Sequence, residues 1–144
     1  MSALETQVGG NHYSKLKIQP IEFIIGCRLE FREANAVKYL SRYTDKNGVE
    51  DLRKSRHYVE MILENNNAVK GFFRRIYKWV ELQLTKPHQS AFDYVMANDF
   101  SYHQRHAIML IANWIFYGEE DLQKALYHID ELIFELIDTD PSLP

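Results

Sequence analysis

Cysteine is nearly absent: Cys27 stands alone among 144 residues. An intramolecular disulfide is therefore excluded, and a reducing compartment suits the chain. No apolar run approaches the roughly 20 residues that a membrane-spanning helix needs, and the first residues do not read as a secretory leader. The expectation is a cytoplasmic protein with no membrane partner. An excess of basic charge is also missing: 17 Lys and Arg against 20 Asp and Glu leave a net charge of −3. No overall basic field draws the protein to nucleic acid, and Arg74, Arg75 and Lys78 form only a small patch. An anion site, if there is one, is local. The Gly-x-x-x-x-Gly-Lys-Ser/Thr loop occurs nowhere, which excludes a P-loop enzyme. No stretch alternates with period two, so strands are not expected.

What remains is ordinary globular material, 46% hydrophobic and 26% charged, which argues against disorder. Its apolar residues recur at helical spacing. A short helix follows Pro20 and ends near Gly26, with Pro20 suited to a helix start. On the next, Ala36, Tyr39, Leu40 and Tyr43 share one face at i, i+3, i+4 and i+7. A turn at "TDKNG" uses Asn47 and Gly48 for positive φ. The helix after it turns Leu52, Val59, Ile62 and Leu63 inward, and "NNN" at 65–67 breaks it. A helix near 68–84 carries Val69, Phe72, Phe73, Ile76 and Val80, with Pro87 ending that region. Further helices fall near 90–97, 101–117 and 119–137. The fold class is all-α.

The pattern also repeats. Residues 21–43 align with 92–114 at an offset of 71, pairing Phe23 with Tyr94, Ala36 with Ala107, Leu40 with Ile111 and Tyr43 with Trp114. Residues 50–62 align with 120–132 at an offset of 70, sharing Glu-Asp-Leu and the following Lys. The expected organisation is one compact helical bundle of two tandem three-helix units. Residues 1–66 form a first copy with its lead-in, 67–90 a linker helix, and 91–144 a second, degenerate copy. The linker carries Phe72, Phe73, Tyr77 and Trp79 around much of its circumference, so an apolar face should remain after folding and mark a homo-oligomer.

The copies differ where charge is concerned. Asn35, Lys38 and Arg42 make a polar stripe beside Tyr39, and Lys46 follows in the turn. Their counterparts in the second copy are His106, Met109 and Asn113, with no basic residue matching Lys46. A solvated helix face explains such a stripe, and so does an anion site in the first copy walled by the second. The lead-in "GGNHY" has no counterpart either. Gly9 and Gly10 permit backbone that can present N–H groups to a phosphate, and Asn11, His12, Tyr13 and Lys15 add donors and a ring. The expectation is that this segment lies over the stripe.

These residues carry a resemblance. "GGNHYSKLKIQPIEFI" followed by "NAVKYLSRYTDKNGVEDLRKSRHYVE" resembles the small bacteriophage family of SaV-like proteins, a domain of unknown function associated with phage nucleotide kinase activity. It rests on Gly9, Gly10, His12 and Tyr13, on Gln19, Pro20 and Glu22, and on Asn35, Lys38, Tyr39, Arg42 and Tyr43. Lys46, Gly48, Glu50, Asp51, Leu52, Lys54, His57 and Tyr58 complete it. The resemblance implies a non-P-loop deoxynucleoside monophosphate kinase, taking ATP or another phosphate donor, with Mg²⁺ as a candidate cofactor and the host cytoplasm as its location.

Phosphoryl transfer depends on alignment and charge neutralisation more than on covalent chemistry. Lys38, Arg42 and Lys46 are the candidate phosphate holders, Arg42 bidentately. His57 and Tyr58 are candidates to bind base or sugar or to move a proton. Asp51 or Glu50 is a candidate for Mg²⁺ or a ribose hydroxyl, although acids at a helix start also complement its dipole. Two other functions stay open. One is a nucleotide-sequestering protein without turnover, acting on host defence signalling. The other is an all-α pyrophosphatase using Glu30-x-x-Glu33 and Glu135-x-x-Asp138. A zinc site at His103, His106 and His128 is the weakest reading, lacking any cysteine pair.

Overall fold

Capping chemistry sets where the helices begin. In the computed structural model, which describes residues 3–85 and 90–143, all regular elements are helical. They are α1 (Pro20–Gly26), α2 (Phe31–Arg42), α3 (Val49–Glu64), α4 (Ala68–Thr85), α5 (Ala91–Ala97), α6 (Tyr102–Tyr117) and α7 (Glu119–Thr139), with a 3-10 turn at Tyr43–Asp45. At four starts an acid or amide three residues in reaches back to the free backbone N–H of the cap. Glu22 accepts from Gln19, Glu33 from Glu30, Asp93 from Ser90 and Gln104 from Ser101.

Those starts recur at fixed distances. α1 and α5 begin 71 residues apart (20 and 91), as do α2 and α6 (31 and 102), while α3 and α7 begin 70 apart (49 and 119). Between the first and second helix of each triplet one non-glycine residue adopts φ +53°, Arg28 in one and Asp99 in the other. Gly48 and Gly118, both at positive φ, precede the third helices. In the "TDKNG" turn the left-handed residue is Gly48 alone; Asn47 keeps negative φ.

One core joins the two triplets. α2 packs on α3 and α6 on α7, while α3 lies against α7 and α2 against α6. Phe23 and Tyr94 stack face to face at the centre, 4.2 Å apart and 4° from parallel. The Tyr94 hydroxyl shares a 2.7 Å hydrogen bond with Ser41. Leu40, Leu52, Val59, Ile62, Ile108, Ile111, Leu122 and Ile129 are fully buried around them. Such burial is worth about 1.5–3 kcal/mol per large aliphatic side chain. Among the described residues no buried side-chain polar atom lacks a hydrogen-bond partner.

Helix α4 departs from the expectation. Its large apolar residues do not spread around the circumference but gather on one side, and that side faces outward. Val69, Phe72, Phe73, Ile76, Tyr77, Trp79, Val80 and Leu84 are all exposed. Three of its cations reach the body instead, while Lys70 is exposed. Arg74 donates to buried Glu33 (2.7 Å), Arg75 to the Ile115 carbonyl (2.6 Å) and Lys78 to the Ala112 carbonyl (3.4 Å). The small basic patch read from the sequence is thus the fastening of α4 to the body. Pro87, expected to end this region, lies outside the described residues.

Candidate functional site

The lead-in packs onto α2, as expected. His12 is buried and meets Tyr13 edge-on at 4.2 Å, and the Tyr13 hydroxyl accepts from Arg42 Nη1 at 3.3 Å. Gln7 ties the segment together, its amide reaching His12 Nδ1 at 3.0 Å and its carbonyl accepting from the Tyr13 N–H at 2.9 Å. Further along, Asn98 bonds both the N–H and the carbonyl of Ile18, at 3.1 and 2.8 Å, so the strap is fastened to the second triplet. Gly9 and Gly10 have φ of +81° and +122°, and a Cβ on Gly10 would press on the His12 ring at 3.2 Å. Gly10 therefore makes room for His12. Asn11 is exposed and contributes its carbonyl to Ser14; Lys15 pairs with Asp45 at 2.9 Å.

Tyr39 is not a core residue. Its ring lies at the surface of α2 and gathers cations: Lys38 Nζ at 4.4 Å from its centroid, Arg42 at 4.8 Å and Lys54 Nζ at 5.8 Å. Tyr58, on α3, lies 6.0 Å from it in a near-parallel stack, and Phe31 meets Tyr58 edge-on. These three rings line an open recess of about 550 Å³ with Glu50, Arg53, Lys54 and His57 on its rim. His57 is exposed there. A second recess of about 230 Å³ lies on the far side of Lys38, between Tyr13 and the Pro20, Ile21 and Ile24 surface of α1. Residues 13–61 supply both linings. The expected wall from the second copy does not form at either recess.

Electrostatically the stripe is crowded. Burial, then Arg42, Lys46 and Lys54, lowers the Lys38 ammonium pKa; Asp51 is the opposing charge. Lys38 donates to Asn35 at 2.7 Å. His12 is also lowered, by burial first and then by Lys46 and Arg42. An anion placed over Lys38 would relieve this repulsion.

Two sequence expectations need correction. Arg42 presents its bidentate edge to Asp51 (Nε to Oδ2 at 2.9 Å, Nη2 to Oδ1 at 3.2 Å) and its remaining Nη1 to Tyr13. Its fork is engaged inside the protein. Asp51 is fully buried, so it reaches neither a metal nor a ribose in this conformation. Glu50 is exposed and paired with Lys54. The reason is geometric: Arg42 ends α2 and Asp51 opens α3, so the 3-10 turn between them brings the side chains face to face. Lys38 and Lys46 carry outward charge, while that of Lys54 is met by Glu50.

The alternative carboxylates are engaged too. Glu33 is fully buried, accepting from Trp114 Nε1 at 2.5 Å, from Arg74 and from the Glu30 N–H, while Glu30 pairs with Arg32 at 2.7 Å. Glu135 and Asp138 are exposed near the other end of the chain. The structure does gather His103, His106 and His128: His103 and His128 Nδ1 atoms are 2.8 Å apart, and the His106 and His128 rings 5.2 Å. Even so, among the described residues no three His, Cys, Asp or Glu side chains are placed to hold a metal ion. No helix of the described residues is long and apolar enough to cross a membrane.

Residues 8–60 match a family described as a protein of unknown function (DUF3310). The matched span holds the lead-in, α1, α2 and most of α3, hence both recesses except for Met61. No curated protein and no solved structure matches the chain.

Proposed function

We propose that the α2–α3 face binds a nucleotide, with a base or sugar in the aromatic recess and phosphate over Lys38 and its lysine neighbours. One observation carries this reading: three cations converge on the ring of Tyr39, beside a recess lined by Tyr58 and Phe31. Aromatic faces take a planar base, and a cluster of half-buried ammonium groups takes a phosphate. Lys46, exposed in the turn, extends the positive stripe.

The kinase resemblance supplies the activity: phosphorylation of a deoxynucleoside monophosphate by a non-P-loop enzyme, with ATP or a similar donor. In this reading Lys38 holds the transferring phosphate, and His57 on the rim stands where a proton would be exchanged. A phosphate donor and Mg²⁺ would enter with the substrates. Sequestration without turnover is the second reading. It is favoured by the Arg42–Asp51 pair, which withholds from the ligand both the strongest phosphate grip and the nearest carboxylate.

The test is direct. Purified protein is incubated with each deoxynucleoside monophosphate, ATP and Mg²⁺, and the products are separated by ion-exchange chromatography, beside titration calorimetry of the same nucleotides. New diphosphate supports the kinase, and saturable binding without product supports sequestration. Triphosphate cut to monophosphate supports a pyrophosphatase. Absence of binding to every nucleotide, or binding unaffected by Lys38→Met, overturns the site.

A further inference from the structure

Amphipathic helices normally turn their apolar stripe to their own core. α4 does the reverse. At 3.6 residues per turn, Phe72, Phe73, Ile76, Tyr77, Trp79 and Leu84 occupy less than half of the circumference, and each is 46–80% exposed. The opposite side holds Arg74 and Lys78, with Arg75 at its edge, all bonded to the body. Those contacts are specific. Glu33 is fully buried and needs Arg74; the Ala112 and Ile115 carbonyls sit in the last turns of α6, the negative end of that helix. Rolling α4 over to bury its aromatics would break all three contacts and bury the cations' partners unpaired. The helix is locked with its apolar side out.

We infer that this side is covered by α4 of a second copy of the chain, the two helices crossing antiparallel about a two-fold axis near Ile76. Three observations select a second copy. The exposed apolar side chains of α4 present on the order of 900 Å² from their exposed fractions, close to the roughly 800 Å² per partner of a standard stable interface and above the patch size common on monomers. The stripe carries no charge, so it is complementary to itself, as an isologous contact requires. Antiparallel crossing also sets each helix dipole against its opposite. A lipid surface fits less well, because interfacial helices carry rows of Lys and Arg beside the apolar stripe, and here Arg74, Arg75 and Lys78 are bonded to the body, which leaves Lys70 as the exposed cation of α4 without such a bond among the described residues. The inference is independent of the nucleotide reading, since neither recess includes an α4 residue.

The experiment is the mass in solution, by light scattering or sedimentation at micromolar concentration. The wild-type chain should show twice its 17.1 kDa. Phe73→Glu and Ile76→Glu should each halve that mass at unchanged helical circular dichroism, whereas Phe134→Glu, an exposed aromatic on α7, should leave it doubled. Should the glutamate variants lose helicity, Ile76→Cys in a Cys27→Ser background decides the matter: mild oxidation should link two chains through position 76. A monomeric wild type overturns the inference. So does a dimer that survives both folded glutamate variants, failure of the position-76 cross-link, or a monomeric chain that floats with anionic or neutral vesicles.

Discussion

Arg42→Ala should behave as a stability mutation first and a ligand mutation second. The guanidinium is 13% exposed and holds a carboxylate that is 0% exposed through two hydrogen bonds of 2.9 and 3.2 Å. Removing one partner of a buried pair costs about 3–5 kcal/mol, because the other charge is left without compensation. Two features soften that cost here. Asp51 is the third residue of α3, where the helix dipole favours an acid by about 0.3–1 kcal/mol, and Asn47 Nδ2 stands 3.4 Å from Oδ1. The expected loss is therefore about 3 kcal/mol, roughly a fifth to three fifths of a typical domain's stability. Asp51→Asn leaves the guanidinium without its counter-charge, but Arg42 keeps some solvent contact and its bond to Tyr13, so the cost should be smaller, about 2 kcal/mol. The double variant should lose less than the sum, with a coupling of about 1–3 kcal/mol. Urea unfolding followed by circular dichroism measures all three, and the slope with denaturant should stay constant across the set. A loss below about 1 kcal/mol for Arg42→Ala, the range of an exposed pair, would refute the buried fork and return Arg42 to the ligand.

Other outcomes follow from the same geometry. Tyr39→Leu should weaken nucleotide binding about fivefold to tenfold in calorimetry, since a base stacked on an aromatic ring is worth about 1 kcal/mol or more, and should lower unfolding stability by about 1 kcal/mol through the lost Lys38 cation–π contact. Glu33→Gln should cost about 2–3 kcal/mol in urea unfolding, although Gln104 occupies the matching place in the second triplet. An amide offers Arg74 and Trp114 no charge. Acid should destabilise the fold as pH falls below about 6.5, because burial and then His103 and His106 lower His128, so the unfolded chain takes up the proton first. His128→Gln should flatten the melting temperature over that window, and an unchanged slope would show that His12, lowered in the same sense, carries the effect alone.

Which of these features were legible beforehand depends on how local they are. Helix positions follow from periodicity and from capping residues within four places of each start, and the elements fall within a residue or two of the expected bounds. The lead-in's contact with α2 was legible because its residues had no role in a helix. The role of Glu33 was not: the sequence offered it with Glu30 as a pyrophosphatase motif, whereas it caps α2, and its burial depends on Trp114 and Arg74, 81 and 41 residues away. The Arg42–Asp51 pair failed for the same reason, its partners lying on different helices across a turn. The three histidines were grouped from the sequence, and the structure brings them together, His128 arriving from α7, 25 residues past His103. For α4 the stripe itself was visible, but periodicity reports only that apolar residues share a side, never which way that side turns.

The differences between the two triplets link these points. At matched positions the second triplet keeps what the core needs and lacks what the surface recess uses. Gln104, nearly buried where Glu33 is buried, donates its amide to the Leu40 carbonyl at 2.6 Å, a bond that a carboxylate cannot make. Glu33 instead accepts, and so recruits Trp114 and Arg74, which brings in α4. Lys38 and Arg42 face Tyr39, while their counterparts Met109 and Asn113 make no such cation cluster. Charge at 33, 38 and 42 is thus among the differences between one triplet and the other. Glu33 fastens the helix whose apolar side faces out, Arg42 stiffens the turn beside Tyr39, and Lys38 is left as the half-buried cation between that ring and the second recess. A chain carrying Glu33→Gln should consequently loosen α4, and with it lose dimer mass, while nucleotide affinity at Lys38 stays unchanged; loss of both together would mean that the recess depends on the partner copy.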